Sequence, residues 1–192
     1  MKVTIVGAGL AGLCVAHYLR DAGAEVTLLE RADGPGLETS YANGALLHPS
    51  LADPWNAPGV LGFVLRNLGG EDSPMLLRPS ALPTMLRWGL EFVRQSRPDR
   101  FERHAVSNLL LARYSLERMH ELRESLRLDY GAYRRGAMAL FRDRATYDAA
   151  LAWAAKMSRH GLEYSPQDVA ATVAREPALA PIAPQLCGAI YY

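Results

Sequence analysis

The residues of this 192-residue chain best suited to chemistry are Gly7, Gly9 and Gly12, in the run GAGLAG, and Glu30. The glycines stand as GxGxxG, and an acidic residue roughly twenty positions later completes a pattern that binds the diphosphate and ribose of an adenine dinucleotide. Each residue has a geometric task. Gly7 permits a tight turn, Gly9 lets the backbone approach a diphosphate, and Gly12 lets a helix pack closely on a strand. The amino end of that helix presents unpaired N–H groups and the positive end of its dipole to the anion. Glu30 can accept hydrogen bonds from ribose hydroxyls and would repel a 2′-phosphate, which disfavours NADP.

The elements needed to position these residues are legible around them. Val3-Thr4-Ile5-Val6 is a β-branched run suited to a strand buried on both faces. Leu10, Leu13, Ala16 and Leu19 follow at helical spacing, Gly23 is placed to end the helix, and Val26-Thr27-Leu28-Leu29 is a second apolar strand closing at Glu30. A competing interpretation is an export signal. Lys2 precedes an uncharged run from Val3 to Leu19, and Ala22-Gly23-Ala24 has the small-x-small form of a cleavage site. The glycines inside the run, His17 and Tyr18 near its end, and Arg20 and Asp21 before the supposed cut favour the strand-turn-helix instead.

Composition narrows the rest. With 21 Lys plus Arg against 20 Asp plus Glu, the formal charge of +1 creates no field that would hold nucleic acid or an anionic membrane by composition alone. No uncharged run is long enough for an integral membrane segment. The 49% hydrophobic content suffices for a folded core. The two cysteines, Cys14 and Cys187, form no CxxC pair and have no His at ligand spacing, so neither a disulfide framework nor a metal site is expected. Cys14, in an apolar stretch, is expected to behave as a small hydrophobe.

The βαβ unit reads the ADP half shared by FAD and NAD and does not choose between them. An NAD-binding half would continue with a helix and a third parallel strand. Residues 32–59, ADGPGLETSYANGALLHPSLADPWNAPG, are instead a long loop-forming stretch that either lines a site or is disordered, with Trp55, Leu46 and Leu47 as candidate anchors.

This stretch, with the opening VTIVGAGLAGLCVAHYLRDAGAEVTLLE, the strand-like GAMALFR of residues 136–142 and SPQDVAATVAREPALA of residues 165–180, resembles the N-terminal half of the FAD-dependent D-amino acid dehydrogenases, within the D-amino acid oxidase and glycine oxidase group. The resemblance implies FAD as cofactor. It places Gly7, Gly9 and Gly12 at the pyrophosphate, Glu30 at the adenosine ribose, Arg31 beside that ribose or the adenine, and Thr39, Ser40, Asn43 and Gly44 near the pyrophosphate and isoalloxazine. Leu46 and His48 depart from the family pattern.

The implied reaction is oxidation of a small-molecule amino-acid substrate. Hydride passes from Cα to flavin N5, and water hydrolyses the imino acid to a 2-oxo acid and ammonia. An Arg is expected to hold the substrate carboxylate, but no catalytic residue is assigned. The implied location is cytoplasmic, peripheral at the inner membrane face.

Further on, helices are expected over 60–68, 84–95 and 99–125, the last with Ala105, Leu109, Ala112, Leu116 and Met119 as a core stripe. His104 and His120 in it are expected at the surface. A strand is expected over 137–141, a helix over 146–159 and a short strand over 162–164. Ser165 is expected to cap a helix carrying Pro166 in its first turn, and the final CGAIYY to begin another strand. The expected fold class is α/β: an incomplete Rossmann-like FAD-binding domain over 1–75, followed over 76–192 by a helical segment and part of an α+β substrate domain. Too few strands are present for a doubly wound sheet, so either the sequence is a fragment or a second polypeptide completes the fold. The alternatives are an NAD-dependent Rossmann enzyme and a non-catalytic dinucleotide-binding subunit.

Overall fold

The computed structural model describes residues 1–44, 46–62, 82–131 and 133–192, which divide into two compact units, Met1–Leu47 and His48–Tyr192. The expected boundary between residues 75 and 76 lies outside the described residues. Of the expected helix over 60–68, only residues 60–62 are described, and these are helical. The fold is a mixture of helices and strands containing a parallel βαβ unit, consistent with part of a Rossmann-like domain.

In the first unit, β1 (Lys2–Val6) pairs in parallel with β2 (Glu25–Leu29), from Lys2 opposite Glu25 to Val6 opposite Leu29. Helix α1 (Leu10–Asp21) makes the crossover that a parallel pair requires. Both strands alternate in burial rather than being covered on both faces as expected. Val3, Ile5, Val26 and Leu28 are half-buried, whereas Val6 and Leu29 are exposed.

The helix also sits differently from its apolar spacing. Gly12, Ala16 and Leu19 are half-buried while Leu10, Leu13 and Cys14 are exposed. The side that can approach the sheet closely is the side without a Cβ, and a Cβ on Gly12 would stand 3.6 Å from the Ile5 side chain. Gly23 ends the helix as expected, at φ +82°, where the N–H groups of Gly23 and Ala24 donate to the carbonyls of Arg20 and Leu19.

The second unit is built from helices α2 (Leu82–Gln95), α3 (Pro98–Ser125), α4 (Arg144–Ser158) and α5 (Val169–Arg175), with a three-stranded antiparallel sheet. The sheet contains β3 (Met138–Phe141), β4 (Ser165–Gln167) and β5 (Gly188–Tyr191), with β5 central. Ala189 and Ile190 of β5 are fully buried. Ala105 and Leu109 of α3 join Met157 and Leu162 in the core, with Val106, Trp153 and Tyr192 against them. The expected stripe continues half-buried through Ala112, Leu116 and Met119; His104 is exposed and His120 half-buried.

Expectations around residues 162–168 are also overturned. Ser165 and Pro166 do not start a helix but form edge strand β4, where Pro166 lies opposite Ile190; residues 162–164 are irregular. An edge position tolerates the missing proline N–H. Asp168 is the cap instead, its Oδ1 accepting the Ala171 N–H at 2.7 Å. Asp168→Ala is therefore expected to cost about 1 kcal/mol. Ser165→Ala should stay within about 0.5 kcal/mol. Urea titration of the two variants measures both.

Trp55, Leu46 and Leu47, the candidate anchors, are exposed. In the second unit, polar groups hold the chain after the short 3₁₀ turn Pro49–Leu51. Asn108 Nδ2 donates to the Ala52 carbonyl at 2.8 Å, and Trp153 Nε1–H donates to Asp53 Oδ2 at 3.0 Å. Burial raises the Asp53 pKa above its ordinary 3.8, and the Trp153 bond only partly opposes this. A raised carboxylate pKa means that stability is lost as pH rises from the unfolded value through the folded one. Asp53→Asn keeps an acceptor for Trp153 without a carboxylate charge that is solvent-exposed and therefore largely screened. It is expected to raise Tm by no more than about 1 °C at pH 7 and not at pH 3, as read by thermal melts at both pH values.

Candidate functional site

Three backbone features of the first unit shape a cleft. Gly7 turns the chain at φ +99°, donating its N–H to the Leu29 carbonyl at 2.7 Å, so the end of β1 is tied to the end of β2. Gly9 caps α1 in an extended conformation and offers no side chain to the first-turn N–H groups. Gly12 lies under the turn, where a Cβ would overlap the Gly7 carbonyl oxygen. Together they leave the amino end of α1 open to an acceptor that comes from outside the helix.

Part of that acceptor set comes from the irregular chain after β2. Ser40 Oγ accepts the Leu10 N–H at 3.1 Å, and the Gly36 N–H donates to the Ala8 carbonyl at 2.9 Å. Between these ties the loop forms one wall of a cleft of about 370 Å³, lined by Val6, Gly7, Gly9, Leu29, Glu30, Arg31, Gly36, Leu37, Glu38, Thr39 and Ser40. The wall is close to the turn, since a Cβ on Gly9 would stand 3.2 Å from Ser40 Oγ.

Glu30 is the electrostatic centre of this cleft. Its Oε2 accepts the Ala8 N–H at 2.6 Å, and its Oε1 accepts those of Arg31 at 2.7 Å and Ala32 at 3.0 Å. These donors, Ala32 first and Ala8 next, hold the carboxyl pKa below its ordinary 4.5. The carboxylate is thus fixed and ionised beside the glycine turn. Arg31 reaches along the loop to Glu38, with Nε donating to Glu38 Oε1 at 2.8 Å and a terminal guanidinium nitrogen on the same oxygen.

The cleft brings together Gly7, Gly9, Glu30, Arg31, Thr39 and Ser40 of the residues singled out from the sequence. Gly12 supports the turn from beneath. Asn43 and Gly44 are exposed and do not line the cleft. Gly36, Leu37 and Glu38 do line it, although no spacing in the sequence marks them. In the second unit, His48 Nδ1 lies 2.5 Å from Ser50 Oγ, and burial lowers the His48 pKa, favouring the neutral imidazole.

These residues fit the ADP half of a dinucleotide. A turn without Cβ atoms where a diphosphate must approach, an open helix amino end and a fixed carboxylate for a ribose all occur within one unit. Among the described residues, no group of His, Cys, Asp and Glu is placed to hold a metal ion, and no helix is long and apolar enough to cross a membrane.

Comparison with known proteins agrees with this geometry. Residues 2–192 match the profile of the DAO family, described as FAD dependent oxidoreductase. The chain is 41% identical over 192 residues to a D-amino acid dehydrogenase of Paramagnetospirillum magneticum, covering all of this chain and 46% of that protein. It is 42% identical over 192 residues to D-amino acid dehydrogenase 2 of Ralstonia nicotianae, covering 45% of that protein, and 40% identical over 191 residues to a D-amino acid dehydrogenase of Dechloromonas aromatica, covering 46%. The chain thus spans a little under half the length of these curated relatives. No solved structure matches.

Proposed function

The chain belongs to the DAO family of FAD-dependent oxidoreductases, and from that premise we propose that it supplies the FAD-binding half of an enzyme that oxidises D-amino acids to 2-oxo acids and ammonia. The family decides between FAD and NAD in favour of FAD. The observation that carries the reading at the site is the convergence of the glycine turn, the fixed Glu30 carboxylate and the loop through Ser40 on one cleft. The names of the relatives support the substrate class.

Bound FAD supplies the hydride-accepting chemistry. The protein's own residues hold it. Gly7 and Gly9 admit the diphosphate to the amino end of α1, Gly12 keeps the helix close beneath, and Glu30 accepts from the ribose hydroxyls. Thr39 and Ser40 close the wall over the diphosphate, and Arg31 lies beside the ribose or the adenine. Asn43 and Gly44 continue the loop toward the flavin ring. The chain spans a little under half the length of its relatives, and on this reading the substrate side lies in the length it does not cover.

Titration of the purified chain with FAD tests this, with quenching of flavin fluorescence as the expected result. The full-length or partner-complemented protein should be yellow and bleach anaerobically with a D-amino acid. A colourless preparation that binds NAD would overturn the reading.

We place the protein in the cytoplasm, peripheral at the inner membrane face. Helix α2 supports this placement, because Leu86, Leu90 and Val93, at i, i+4 and i+7, are exposed on one face with Arg87 flanking it. Sedimentation with phosphatidylglycerol vesicles is the expected outcome, and its absence would remove the placement without touching the cofactor assignment.

A further inference from the structure

The adjacent residues Glu30 and Arg31 leave open which adenosine ligands the cleft accepts. A carboxylate at the end of the second strand selects a free ribose 2′-hydroxyl, whereas an arginine nearby can accommodate a 2′-phosphate. Both are present and both line the cleft. The position of the guanidinium separates the two outcomes. The Arg31 guanidinium is already engaged by Glu38, through Nε at 2.8 Å and a terminal nitrogen on the same Oε1.

Glu38 is not there by chance of a wandering loop. The chain is tied to the glycine turn on each side of it, by the Gly36 N–H on the Ala8 carbonyl and by Ser40 Oγ on the Leu10 N–H. Those ties fix the backbone that carries the Glu38 side chain. Glu30, Arg31 and Glu38 then sum to one net negative charge at this end of the cleft. A phosphate brought to the ribose would meet two carboxylates and an arginine already engaged.

We propose that Glu38 determines ligand specificity, withholding Arg31 from phosphate so that the cleft selects an adenosine with an unmodified ribose. This deepens the dinucleotide reading given above and rests on it. The pair adds little to stability, because both side chains are largely exposed. Its effect is on discrimination, which can be built from repulsion as well as attraction. Without Glu38, the guanidinium is released to make paired, charge-assisted hydrogen bonds to a phosphate.

The test compares AMP with adenosine 2′,5′-bisphosphate, which differ only by the 2′-phosphate, each measured by displacement of FAD from the full chain. The variants are Glu38→Gln and the double variant Glu38→Gln/Arg31→Gln, with far-UV circular dichroism confirming that each remains folded. The unsubstituted chain is expected to favour AMP. Glu38→Gln should shift the affinity ratio toward the bisphosphate by about tenfold, and the double variant should lose that shift. An unchanged ratio in Glu38→Gln, or a shift that survives in the double variant, overturns the role of Glu38 and leaves the dinucleotide site standing. Failure of the unsubstituted chain to bind FAD at all overturns both.

Discussion

Gly12→Ala is expected to lower FAD affinity at least about 100-fold and to destabilise the N-terminal unit by about 1–3 kcal/mol, the range for overpacking a close contact. The added Cβ would overlap the Gly7 carbonyl oxygen and stand 3.1 Å from the Gly7 carbonyl carbon. Those atoms are backbone, so no side chain can swing aside. Relief requires α1 to lift from β1, which carries the helix's amino end away from the diphosphate and pulls at the Gly7 N–H bond to Leu29. Flavin retained through purification and the urea midpoint of the chain read the two effects separately. Gly44→Ala is the matched control for stability. Its Cβ would meet nothing within 4 Å, so the urea midpoint should stay close to that of the unsubstituted chain.

Glu30→Gln should reduce FAD affinity by roughly 10- to 100-fold, because an amide offers one acceptor oxygen where the carboxylate offers two. Oε1 and Oε2 face N–H donors of Ala8, Arg31 and Ala32, so the amide NH₂ must confront at least one of them. The pH dependence carries a sign. The native pKa of Glu30 lies below the ordinary 4.5, so the stability and ribose affinity that depend on its charge are complete above that value. They are lost only as pH falls through the lower, folded-state pKa. FAD affinity of the unsubstituted chain should therefore fall at the acid end, and Glu30→Gln should lack that limb. Fluorescence titration between pH 3 and 7 measures both curves, and parallel acid limbs would show that Glu30 does not bear the effect.

The parts legible from sequence were those set by neighbours along the chain. The β-branched runs, the glycine spacing and the apolar repeats of α3 specify strand, turn and helix through local sterics and periodicity, and they placed β1, α1, β2 and α3 to within one residue at each end. Glu30 was visible because a strand end at that distance from the turn has one place to go. Where two local signals competed, the decision came from elsewhere in the fold. Ser165-Pro166 reads as a helix start by itself, but pairing with β5 turns it into an edge strand and moves the cap to Asp168.

Tertiary structure alone decided which face of α1 meets the sheet and which loop residues enter the cleft. Gly12 brings the helix down on its own side and leaves Leu10 and Leu13 outside, a result of close approach that hydrophobic spacing does not encode. Gly36, Leu37 and Glu38 join the cleft, and Asn43 and Gly44 do not, because backbone and side-chain bonds to the glycine turn set the path of an irregular segment. A loop without a repeat has no register from which side-chain direction can be read. Its geometry comes into being only when residues far apart in the chain are brought within hydrogen-bonding distance.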